Sequence, residues 1–86
     1  MKKILIIDDL NVNLDAVRSI LNTYMSDYEV ITAQSGMEGI RMAQEHQPET
    51  ILLDYLMPQM NGFEVCKKLK EDAKTKMIPV LMISAL

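Results

Sequence analysis

Four polar side chains in this chain close apolar runs. Asp8 and Asp9 follow the run at residues 4–7, Asp54 follows residues 50–53, and Ser84 follows residues 79–83. If these runs are neighbouring strands of one sheet, strand spacings of about 5 Å bring three carboxylates to a single rim. Acids crowded in this way repel one another and call for a counter-charge. Oxygen donors with few carboxylates suit Mg²⁺, which prefers an octahedron and usually keeps several waters and a phosphate oxygen. Ser84 adds a hydroxyl to the same rim. Alone, Asp8 and Asp9 would serve equally well as a turn or a helix N-cap, where short acids are favoured. The recurrence of acids at equivalent strand ends is what singles out the set.

The elements that must position these groups follow from hydrophobic periodicity. Residues 4–7 are continuously apolar, the pattern of a strand buried on both faces of a parallel sheet. From Asn11 the spacing changes to three and four, with Leu14, Val17, Leu21, Tyr24 and Met25 on one side of an amphipathic helix. A β-branched stretch over residues 28–33 comes next. Ser35 and Gly36 then open a helix that turns Ile40 and Ala43 inward, ends near His46 and is stopped by Pro48. A third strand runs into Asp54, and a loop with Pro58, Asn61 and Gly62 leads to a helix through Val65 and Leu69. A fourth apolar strand begins at Pro79. Buried strands alternating with crossover helices predict a parallel α/β sheet. Ligands of such sheets bind outside the carboxyl ends of the strands, where the acids stand.

Composition narrows the function classes. The chain has 86 residues, 49% hydrophobic and 24% charged, which allows one domain with a small core. A formal net charge of −3, with lysines and acids interspersed, gives no basic stripe for direct nucleic-acid binding. The lysines at 67, 68, 70, 74 and 76 read as a solvated helix face and its exit. His46 falls at the opposite end of the sheet from the acids, in a solvated or capping role. A single cysteine, Cys66, excludes an intramolecular disulfide and a zinc site built on cysteines, so a cytoplasmic location is expected. Apolar runs of about six residues are far short of a membrane span, and no signal peptide is expected. Walker A, G-x-S-x-G and G-x-G-x-x-G patterns are absent, which leaves nucleotide hydrolysis, serine chemistry and dinucleotide binding unsupported.

The chain resembles the receiver domains of two-component response regulators. The resemblance is carried by I-I-D-D at 6–9, L-L-D at 52–54, M-P at 57–58, N-G at 61–62 and P-V-L-M-I-S-A at 79–85. It implies a flavodoxin-like three-layer parallel sheet, here βαβαβαβ with strand order 2-1-3-4. Residues 1–86 would form one receiver domain that lacks helix 4, strand 5 and helix 5 of the family pattern. The resemblance makes Asp54 the acceptor of a phosphoryl group from a histidine kinase. Asp9 would bind Mg²⁺ directly and Asp8 through water, with Asp54 and the backbone carbonyl of Leu56 completing the protein ligands. Ser84 resembles the switch hydroxyl. The family's strand-five lysine has no counterpart, because Lys2, Lys3, Lys74 and Lys76 flank the amino ends of strands.

Order 2-1-3-4 leaves one sheet face half bare and strand four on an edge, so a homodimer through strand four and that bare face is expected. The protein is expected to be a phosphoacceptor and not an enzyme. The alternative is a non-phosphorylated, dimerising binding module that retains the receiver fold. A hydrolase forming an aspartyl-phosphate would place its nucleophile in a D-x-D pattern, which Asp8-Asp9 lacks.

Overall fold

Seven elements follow one another in the computed structural model, which describes residues 2–83. They are β1 (Lys2–Ile7), α1 (Asn11–Tyr24), β2 (Tyr28–Ala33), α2 (Gly36–His46), β3 (Thr50–Asp54), α3 (Gly62–Glu71) and β4 (Val80–Ile83). Every strand pairing is parallel, as the alternation implied, and the order is β2-β1-β3-β4, as the family resemblance implied. Ser84 lies outside the described residues.

The continuous apolar run of β1 is explained by its central place. Ile4, Leu5, Ile6 and Ile7 are all buried, because both edges of β1 are paired and both of its faces are covered. Leu5 and Ile7 face the same side as Ile51 and Leu53, and pack in one cluster with Ala43 of α2 and with Val65 and Leu69 of α3. Ile6 points to the other face. There it shares an apolar cavity of about 220 Å³ with Ala16 and Val17 of α1, Leu52 and Ile83. That half of the sheet has α1 alone as cover. Among the described residues β4 is an edge strand, and its Leu81, Met82 and Ile83 are all exposed.

Local sequence fixes the helix ends. Ser35 caps α2 by accepting the Glu38 N–H at 3.1 Å, and Glu38 in turn accepts the Gln34 N–H at 2.7 Å. The helix ends where Gln47 takes the left-handed conformation at φ 47°, just before Pro48. Asn61 and Glu64 form a reciprocal capping box at the start of α3. The inward stripe of α1 is narrower than its spacing suggested. Tyr24, two turns beyond Val17 on the same flank, sits on the last turn and is 81% exposed. Among the described residues no helix is long and apolar enough to cross a membrane.

Candidate functional site

Register brings the acids together. Ile7 pairs with Leu53 across the β1–β3 ladder, so the next residues, Asp8 and Asp54, stand side by side at the carboxyl rim. The ladders continue a step past the strands, through Asp8 N–H to the Ala33 carbonyl at 3.0 Å and Tyr55 N–H to the Ile83 carbonyl at 3.0 Å. These bonds hold the backbone on either side of the acids. One carboxylate oxygen from each of Asp8, Asp9 and Asp54 lies within 4.8 Å of the others.

The three acids differ in environment. Asp54 is buried, whereas Asp8 and Asp9 are half-buried. Asp8 accepts the Leu10 N–H at 3.0 Å, closing an Asx turn that launches α1 in place of a side-chain N-cap. Asp54 accepts the Leu56 N–H at 3.3 Å. Its carboxyl is pushed above the usual aspartate range, first by burial, then by the charge of Asp8, with a smaller push from Asp9. The Leu56 N–H works in the opposite direction and does not prevail. Among the described residues no lysine or arginine forms an ion pair with these acids; the ion pairs present join Arg41 and His46 to Glu45. His46 lies at the amino rim, where its Nδ1 is 3.2 Å from the Lys3 ammonium.

The donor set fits a hard divalent cation. Opposite oxygens in an Mg²⁺ octahedron stand about 4 Å apart, so a cluster 4.8 Å across suits direct ligation by some of the acids and a bridging water for the rest. Among the described residues no cationic side chain is paired with the cluster, so its negative charge is left for a bound cation to offset. Asp8, Asp9 and Asp54, expected from sequence as one set, are thus brought together, and Leu56 follows Asp54 by two residues on the same loop.

Sequence reasoning did not reach two features of the rim. Gln34 and Asn11 are hydrogen-bonded side chain to side chain, joining the β2–α2 loop to the first residue of α1; no local pattern announces this bond. Asn61 was legible only as a turn residue, although the spacing N-x-x-E to Glu64 is the signature of a capping box.

A parallel sheet of order 2-1-3-4 with an acid cluster at its carboxyl rim defines a receiver-type α/β domain. Residues 4–86 match the response regulator receiver domain family, and the chain belongs to that family, which serves two-component systems. It is 44% identical over 84 residues to the response regulator PleD of Caulobacter vibrioides (strain NA1000 / CB15N), an alignment covering 98% of this chain and 18% of PleD. The chain therefore spans about a fifth of that curated relative. Among solved structures, the N-terminal domain of a response regulator receiver protein from Methanoculleus marisnigri JR1 matches with a TM-score of 0.90 and 35% identity, over 100% of this chain and 68% of that one. The receiver domain of sensor histidine kinase PA1611 from Pseudomonas aeruginosa PAO1 has the same fold, with a TM-score of 0.85 and 21% identity over 94% of this chain and 65% of that one. In that crystal structure a magnesium ion is coordinated in the active site cleft.

Proposed function

We propose that this chain is the phosphoacceptor of a two-component system, with Asp54 as the residue that receives the phosphoryl group from a histidine kinase. The observation that carries the reading is the convergence of Asp8, Asp9 and the buried Asp54 on one rim of a receiver fold. In the transfer, an Asp54 carboxylate oxygen forms a bond to phosphorus while the bond between phosphorus and the kinase imidazole nitrogen breaks. The imidazole, which carries a proton on its other ring nitrogen, leaves neutral, and Asp54 becomes an acyl phosphate. Asp8, Asp9, Asp54 and the Leu56 carbonyl would hold Mg²⁺, which supplies charge neutralisation for the phosphoryl oxygens. Ser84 is assigned the switch hydroxyl. The chain acts once per phosphoryl group received, as an acceptor and not as an enzyme that turns over a substrate. It works in the cytoplasm, where such kinases present phosphohistidine, and does not itself contact nucleic acid or membrane.

The second copy expected from sequence forms part of this proposal. The exposed Leu81, Met82 and Ile83 place apolar surface on both sides of an edge strand, a template for pairing with an identical strand. A two-fold antiparallel pairing sets the carboxyl end of β4 in one copy beside the amino end of β4 in the other. Among the described residues the acids have no ion pair, which favours one alternative, a binding module that dimerises without being phosphorylated.

Intact mass spectrometry after incubation with Mg²⁺ and a small-molecule phosphodonor separates the two. A single phosphoryl adduct that requires the metal and is lost in Asp54→Asn is expected. Its absence from the wild-type protein would leave the binding module.

A further inference from the structure

The loop from Tyr55 to Asn61 carries the Leu56 carbonyl and passes the chain to α3 at Gly62. A Cβ built on Gly62 would lie 2.8 Å from the Asp54 carbonyl oxygen, 2.8 Å from the Tyr55 Cα and 3.0 Å from the Met82 Sδ. Real Cβ atoms do not approach main chain so closely, and two of these three neighbours are main chain that cannot swing aside. The Gly62 N–H also donates to the Tyr55 carbonyl at 2.8 Å. The first residue of α3 is therefore seated directly on the peptide that follows Asp54.

The helix cannot easily give way. Its first turn is held by the Asn61–Glu64 capping box, and Val65 and Leu69 are anchored in the core. A side chain at position 62 would displace the loop rather than α3. The geometry points to Gly62 as a positioning residue of the acid rim: the absence of a side chain sets the height of the loop, and so the places of the Asp54 carboxylate and the Leu56 carbonyl relative to Asp9. This inference rests on the reading of the rim as an Mg²⁺ site. Outer groups that orient metal ligands commonly alter affinity by about 10- to 100-fold when changed.

The test is calorimetric titration of Mg²⁺ into the wild-type chain, Gly62→Ala and Ile51→Val, each with a thermal melt. Ile51 is buried in β3 beneath the rim and is absent from the acid cluster, so its variant reports loss of packing alone. Gly62→Ala should weaken Mg²⁺ binding at least about tenfold, while Ile51→Val melts lower and keeps wild-type affinity. Unchanged affinity in Gly62→Ala, or an equal loss in Ile51→Val, overturns the inference while leaving the metal site standing. A wild-type chain that does not bind Mg²⁺ overturns the metal reading and this inference with it. Should Gly62→Ala not fold, amide exchange in the wild-type chain decides. Mg²⁺ should slow exchange of the Gly62 N–H, and an unchanged rate refutes the coupling.

Discussion

Replacing Asp54 by Asn should stabilise the metal-free protein at neutral pH, although it removes the proposed phosphoacceptor. Asp54 has two carboxylate neighbours, each with an oxygen no more than 4.8 Å away. At that distance a pair of like charges repels by about 0.9 kcal/mol in water and about 3.5 kcal/mol at an effective dielectric of about 20. Asp8 and Asp9 are half-buried, so solvent and salt screen much of this, and a net gain of about 1–2 kcal/mol is expected for the neutral side chain. For a domain of this size that corresponds to a rise in Tm of roughly 5–15 °C. Asn keeps an acceptor for the Leu56 N–H and offers its amide to the neighbouring acids.

The pH dependence follows from the direction of the Asp54 shift. Its carboxyl binds a proton more tightly in the folded chain than in the unfolded one, so stability falls as pH rises from the ordinary aspartate value through the raised one. The gap between variant and wild type should open across that window, persist above it and close below it, where Asp54 is protonated in both states. Saturating Mg²⁺ should narrow the gap at neutral pH by stabilising the wild-type rim. Thermal melts at several pH values, with Mg²⁺ or with chelator, measure all of this. A variant that melts below wild type without metal, or a gap of the same size at pH 3 and pH 7, would refute the argument from crowded charge.

Two other outcomes are expected. Asn61→Ala removes the capping box of α3 and should cost about 1 kcal/mol, read as a lower midpoint in urea denaturation at unchanged slope. If the exposed β4 edge pairs with a second copy, light scattering at high micromolar concentration should return twice the chain mass, and a monomer there rules the dimer out.

The fold was largely legible because its strands are buried on both faces. A run such as residues 4–7, with no polar interruption, belongs at the centre of a parallel sheet, and β1 occupies that position. The acids were legible for the related reason that Asp8 and Asp54 end such runs, and parallel register then leaves them side by side. Tyr24 was less legible: periodicity marks a flank of α1 but not how far along the helix the sheet extends. The Gln34–Asn11 bond and the seat of Gly62 depend on how residues 23 and seven apart in sequence meet in space. Sequence spacing carries no record of such meetings.

The position of β1 also has a consequence for how the site comes into being. Ile4 pairs with Val30 on one side and Thr50 on the other, so the first strand made is the one that later strands must find. Closing the β1–β3 ladder joins residues 46 apart in sequence, and the entropy of closing that loop must be met before the pairing can form. Asp8 and Asp54 first meet in that same step. Mutual repulsion of the acids therefore bears on the assembly of the central ladder, and the rim exists only in chains that have completed it.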